Sequence, residues 1–343
     1  MNIAQYVQGR DNNYTLLRHL AAAMVIFTHS HGLTAHAEPL VRLTGLSYSY
    51  IAVNIFFVLS GFLVTASWIC NPDVRRYVTA RILRIYPALW ISVALCLFVV
   101  GPIFTTLPLR YYFLQRDFFI FAAENSTLLL KGVYHHLPGV FSDSAIRSVN
   151  ESLWTLPIEL MMYIGVLILG LSRVFRYPAI MIGVYVTLTL YYLAGVIFGL
   201  VEISDKEMVR LAGYFAGGSL YYLYRDRIPL SYIAMAVMVS LVFLGYLYSE
   251  NLGNAFLTCF LPYVVFVFAY LPSGAVRQFN RLGDYSYGLY IYAFPIQQII
   301  VTLGVHDVYV HVVLSYVVTL IVAAISWHSV ESPALKIAKK ELP

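Results

Sequence analysis

Apolar residues run through this chain in ten long stretches parted by short polar breaks, at roughly 14–32, 50–70, 86–105, 152–170, 178–200, 208–224, 229–249, 253–271, 285–304 and 311–329. Each approaches the about 20 apolar residues that a helix needs to cross a hydrocarbon core. The first, sixth and ninth carry Gly or polar residues inside the run. The pattern predicts an all-α fold, a polytopic integral membrane protein of about ten transmembrane helices, with residues 1–343 forming a single transmembrane domain. No internal repeat is visible, which argues against repeat-built transporter folds. The polar N-terminus leads into the first stretch without a small-residue cleavage site, so that stretch is expected to be retained as a helix.

The polar breaks give an orientation. With the N-terminus inside, fifteen of the 22 Lys and Arg residues fall on the cytoplasmic side, Arg10 among them. Seven fall outside, among them Lys131 and Arg210. An excess of basic residues in cytoplasmic loops predicts N-in and C-in, with residues 336–343 as a short basic tail at the inner surface. Residues 106–150 form the largest break and are assigned to an extracytoplasmic loop, too long for a mere connection.

Composition agrees with this picture. The chain is 60% hydrophobic and 11% charged, against about a quarter charged in soluble domains. Its 29 Tyr and 21 Phe suit interfacial belts and helix packing. The net charge of +5 is accounted for by topology and lipid headgroups and calls for no nucleic acid. Cys70, Cys96 and Cys259 match neither a disulfide framework nor a zinc site, and the adjacent His135 and His136 have no third ligand at metal spacing; no metal is expected.

Polar residues inside the spans are where chemistry is sought, because an ionisable group in a membrane helix is costly. The first span carries Arg18 and His29, eleven positions apart, hence on nearly one helix face and about 16 Å apart along the axis. In the predicted topology Arg18 is near the inner surface and His29 near the outer one. Glu159 is a carboxylate in the outer half of the fourth span. Arg81 and Arg84 are neighbours at i and i+3 on the inner side, and Ser286 and Tyr290 share a face at i and i+4 at the inner end of the ninth span. Gln297 and Gln298 bring amides into the same span.

Together these segments resemble the integral-membrane acyltransferase 3 family. The resemblance rests on the Arg18-x10-His29 spacing, FFVLSGF at 56–62, Arg81-x-x-Arg84, WTLPIE at 154–159, DYSYGLYIYAFP at 284–295 and ESPAL at 331–335, in that order over residues 10–335. It implies a ten-helix enzyme, mostly of bacterial inner (cytoplasmic) membranes. Such enzymes move an acyl group, usually acetyl, from cytoplasmic acyl-CoA to hydroxyls of extracytoplasmic or lipid-linked glycans. It implies an essential role for His29 and importance for Arg18, Arg81 and Arg84. Ala293 stands where many relatives have His. Some relatives carry an esterase-like domain after the tenth helix; here direct acylation, or hand-over to a separate transfer protein, is expected, with a homo-oligomer as a further partner arrangement.

Acyl transfer needs a base for the hydroxyl proton and a bound thioester. His29 is the expected base, with Glu159 orienting it. Arg81 and Arg84 are expected to hold CoA phosphates, with Arg18 nearer the pantetheine or structurally paired, and Ser286 and Tyr290 to touch the donor, no metal taking part. Direct attack by the sugar hydroxyl and a two-step route through acyl-His29 both fit. The rival readings are a lipid-linked glycan flippase or transporter and a non-catalytic component of polysaccharide assembly.

Overall fold

The computed structural model describes residues 2–7, 11–128, 132–198 and 203–340; Arg10, Lys131 and the last three residues of the basic tail lie outside them. Among the described residues the chain is helical, and its only β pairings are the isolated bridges Asn2–Pro229 and Thr105–Val140. The long helices are α1 (Tyr14–Leu33), α2 (Tyr48–Cys70), α3 (Val74–Phe104), α4 (Thr155–Leu171), α5 (Pro178–Phe198), α6 (Ile203–Leu223), α7 (Tyr232–Tyr248), α8 (Glu250–Tyr270), α9 (Ser286–Thr302) and α10 (Val308–Ser326). Each apolar stretch falls on one of them.

Six helical runs are long and apolar enough to cross a membrane: α2, α3, α4 with its preceding turn, α5, α8, and α10 extended to Ala338. Of the others, α7 and α9 have 17 residues each, and α1 and α6 carry polar side chains along their length. The outward surface is apolar. In α7, Gly245 is the one buried residue, while Ile233, Phe243 and Leu247 are exposed. That distribution suits a helix with hydrocarbon rather than water around it.

Two expectations about boundaries shift. The third helix starts at Val74, so Arg81 and Arg84 lie within it and Pro87 sits inside the helix rather than at its beginning. A proline within a helix removes one N–H, and its ring crowds the carbonyl four residues back. Arg210, counted as a loop charge, lies inside α6 and is buried. The apolar run begins at 208, but the helix that carries it begins at Ile203, one and a half turns earlier.

Both α3 and α10, the latter in its extension beyond Ser326, contain a π-helical turn. In α3 it covers Cys96–Val100, and the Gly101 N–H reaches the Cys96 carbonyl five residues back. In α10 it covers Trp327–Glu331, and the Ser332 N–H reaches the Trp327 carbonyl. A proline stands two positions after the end of each turn, Pro102 and Pro333. The proline ring would strike the carbonyl four residues back, and a locally widened turn relieves that clash.

The chain forms two compact units. One comprises Met1–Ala21, Pro39–Val74 and Met161–Gly283, the other Ala22–Glu38, Arg75–Leu160 and Asp284–Pro343. In the first, α2 and α6 approach closely through Gly61 and Gly218. A Cβ on Gly61 would lie 2.0 Å from the Phe215 carbonyl oxygen, and one on Gly218 would lie 2.0 Å from that of Val58. The close contact is made by the glycines, in the manner of small-residue helix interfaces. Ser219 donates to the Gly61 carbonyl at 3.2 Å and receives from Thr65 at 2.8 Å.

In the second unit α9 is the central helix, with fourteen of its 17 residues buried. Pro295 has no N–H, so the Ile291 carbonyl four residues earlier loses its helical donor. Ser92 of α3 donates to that carbonyl at 3.1 Å and Asn150 at 2.9 Å. The end of the 106–150 segment is further tied down by Gln298, whose amide donates to the carbonyls of Ile146 and Ser148, both at 2.7 Å. Within that segment, Leu109–Leu114 and Arg116–Thr127 are short helices.

Candidate active site

The site is described from the second unit, where α9 gathers most of the sequence-derived candidates. His29 lies on α1, and its ring meets the Phe294 ring edge-on at 5.0 Å between centroids. Its Nδ1 is buried and has no hydrogen-bond partner among the described residues. One residue on, Ser30 accepts from the Gln297 amide at 2.8 Å, and the same amide donates to the Ile26 carbonyl at 2.8 Å. Gln297 is fully buried and its own backbone carbonyl accepts from His311 Nε2 at 3.0 Å. Neighbouring turns of α1 are thus bonded to α9 on both sides of His29 while the imidazole keeps an open nitrogen. An aromatic contact fixes a ring's plane without using its polar atoms.

A different environment surrounds Arg84. Its guanidinium pairs with Asp284 at 2.9 Å, comes to 4.0 Å from Glu331 and lies over the Tyr287 ring at 5.6 Å. Ser286, one of the candidates, donates to the same Asp284 carboxylate. Glu331 belongs to the π-helical turn and also accepts from Ser326 at 3.1 Å. The cluster joins α3, the start of α9 and the end of α10. Arg81, one turn before Arg84, lies partly buried with its guanidinium 5.6 Å from the Tyr77 ring centroid.

Glu159 is partly buried on α4, and its carboxylate lies within electrostatic reach of the Tyr287 and Tyr290 hydroxyls. On α9 those residues precede Phe294, the neighbour of His29, by seven and four positions. At 1.5 Å per residue that places Tyr290 about 6 Å and Tyr287 about 10 Å from Phe294 along the axis. The Tyr290 hydroxyl shares a hydrogen bond of 2.8 Å with Thr155. Arg18 is partly buried on the unbroken helix α1, three turns before His29, and belongs to the first unit.

Several other histidines make local contacts, and the Nδ1 of His311, like that of His29, is buried without a hydrogen-bond partner among the described residues. His19 stacks edge-on against Phe279, and His31 donates back to the Phe27 carbonyl at 2.9 Å. His135 donates to the Asn150 carbonyl at 3.1 Å. Among the described residues no three His, Cys, Asp or Glu side chains gather as a metal site. Ala293, where many relatives have His, is fully buried. Further along α10, Ser315 and Thr319 are fully buried with hydroxyls that have no partner among the described residues.

Sequence reasoning missed Asp284 and Glu331 as partners of Arg84, and Gln297 and Asn150 as anchors. One signal was present. Pro295 inside a buried helix implies a bare carbonyl at Ile291, and a bare carbonyl in an apolar interior requires donors from elsewhere.

Residues 11–328 match the family described as "Acyltransferase domain", the acyltransferase 3 family. The chain is 28% identical over 341 residues to an O-acetyl transferase of Shigella phage Sf6, covering 94% of this chain and 95% of that one. It is 27% identical over 357 residues to nodulation protein 10 of Rhizobium leguminosarum bv. viciae, covering 97% and 95%. It is 25% identical over 389 residues to the putative peptidoglycan O-acetyltransferase YrhL of Bacillus subtilis (strain 168), covering 96% of this chain and 55% of that one. No solved structure matches the chain.

Proposed function

Because the chain belongs to the acyltransferase 3 family, we propose that it is an acyl-CoA-dependent O-acetyltransferase. It crosses the cytoplasmic membrane of a bacterium ten times, with both termini inside, and carries acetyl from cytoplasmic acetyl-CoA to a hydroxyl of an extracytoplasmic or lipid-linked glycan. The observation that carries this reading is His29, a buried imidazole held in place by Phe294 with its Nδ1 unmet. The printed names of two relatives, both O-acetyl transferases, support acetyl as the group moved.

In this reading His29 takes the proton of the acceptor hydroxyl as that oxygen attacks the thioester carbonyl. The C–S bond breaks, and the proton ends on the departing thiolate, so CoA leaves as the thiol. Glu159 acts on His29 through the polar surroundings of Tyr287 and Tyr290. Arg18, Arg81 and Arg84 receive the donor. Arg84 already shares its charge with Asp284 and Glu331, so Arg81 takes the larger part in holding CoA phosphates, and Arg84 sets the start of α9. Ser286 and Tyr290 line the donor's path. Arg18 and His29, on one unbroken helix, are about 16 Å apart along its axis, a span that an extended pantetheine arm fits.

The test is mass analysis of surface glycans from cells carrying the intact protein and the His29→Ala variant. Loss of one acetyl mass supports the proposal. An unchanged glycan with the variant present in the membrane defeats it in favour of a transport or scaffold role.

A further inference from the structure

The first unit holds a second buried ionic cluster that the reaction does not use. Arg210 on α6 is 3% exposed and donates to Asn54 Oδ1 on α2, itself fully buried. It also pairs with Glu207 one turn earlier on its own helix, and its guanidinium lies 4.0 Å from the Tyr50 ring centroid. The Tyr50 hydroxyl bonds the Tyr192 hydroxyl of α5 at 2.6 Å. Tyr214, one turn after Arg210, is 1% exposed. Three helices therefore turn polar groups towards one interior point in a region whose outward face is apolar.

The cluster is not closed on itself. Arg210 Nε, Asn54 Nδ2 and the Tyr214 hydroxyl are buried without a hydrogen-bond partner among the described residues. Thr258 lies within reach of the Tyr214 hydroxyl and the Asn54 amide within reach of the Tyr50 hydroxyl, each influencing the tyrosine electrostatically, but at less than full hydrogen-bond geometry. Buried groups of this kind are ordinarily met, and an ionised group inside a membrane domain points to function. All three unmet atoms can donate. Glu207 already balances the Arg210 charge, so the site calls for oxygen acceptors without net charge. Tyrosine faces with amide and guanidinium donors and no net charge suit a hydroxyl-rich neutral ligand better than a phosphate or carboxylate.

We infer that Arg210, Asn54 and Tyr214 form a saccharide subsite that binds hydroxyl groups of the glycan acceptor. This rests on the glycan O-acetyltransferase reading and on its orientation, in which the N-terminal parts of α2 and α6 and the C-terminal part of α5 lie towards the extracytoplasmic face.

The test uses the full-length protein in nanodiscs, radiolabelled acetyl-CoA, and alkali-deacylated glycan extracted from the surface of cells that express the protein. Tyr214→Phe deletes a hydroxyl without a protein partner, and Arg210→Lys keeps the charge opposite Glu207 while losing Nε–H. A purely structural cluster predicts that Tyr214→Phe leaves the acceptor KM unchanged and the stability unchanged or higher, since an unmet buried hydroxyl costs stability. The subsite predicts that each variant raises the acceptor KM about five- to tenfold with the donor KM unchanged. It also predicts that the rise in thermal midpoint produced by the glycan disappears in both. Wild-type acceptor KM in both variants overturns the subsite. If the wild type transfers no label, the proposed reaction fails, and the thermal shift decides the subsite alone: a glycan-induced rise lost in the variants supports it, and no rise overturns it.

Discussion

Two polar centres of the same unit differ in how completely they are satisfied. Arg84 is enclosed by two carboxylates and an aromatic face, whereas His29 is held by one aromatic edge and keeps an unmet nitrogen. A charge that stabilises a fold needs its partners present at all times, because leaving one out strands the other in a low-dielectric interior. A group that must accept a proton or an acyl group needs a vacancy. The contrast separates scaffold from chemistry more sharply than residue type does, since Arg and His are equally unusual in apolar helices.

The contrast is exposed to experiment. His29→Ala should lower acetyl transfer by at least about a hundredfold, the range expected for losing a general base, with the thermal midpoint unchanged; a large fall in the midpoint would make His29 part of the scaffold. Arg84→Ala should lower unfolding stability by about 2–3 kcal/mol, less than for a fully buried pair because the guanidinium is partly exposed. If stability holds and only the apparent KM for acetyl-CoA rises, the part of Arg84 is with the donor alone and not with the scaffold. Gln297→Leu should reduce kcat by about tenfold through the loss of two hydrogen bonds beside His29, at an unchanged donor KM. Arg81→Ala should raise the apparent acetyl-CoA KM by several-fold, and unchanged donor binding removes it from that role. Ser315→Ala should leave activity unchanged and not lower stability, since an unmet buried hydroxyl costs stability rather than adding to it. Loss of activity there would show that unmet atoms on α10 also belong to the reaction.

What the sequence disclosed and what it withheld follow one physical division. Hydrophobic runs of span length announce helices because the backbone has no other way to satisfy itself in lipid, and each of the ten runs is helical. The pairing of Arg18 and His29 on one face follows from helical periodicity alone. The Arg84–Asp284 pair was hidden because its members are 200 positions apart. Arg210 was placed in a loop because counting basic residues assigns a charge near the end of a run to the water, yet Asn54, 156 positions away, lies against it inside the fold. Gln297 is the intermediate case. Its amide was visible in an apolar run, but its targets, Ile26 and Ser30, were not.

The π-helical turn of α10 has a consequence of phase. One extra residue in the turn Trp327–Glu331 advances everything after it by about 100° relative to an uninterrupted α-helix. Glu331 meets Arg84 in the register that the extra residue sets. Deleting Ser329, whose side chain is exposed and bonds only the Ile325 carbonyl, would restore ordinary winding while leaving the composition of the motif intact. The carboxylate would then swing away from its guanidinium. The ESPAL segment is in this sense a timing device, its meaning carried by count as much as by chemistry.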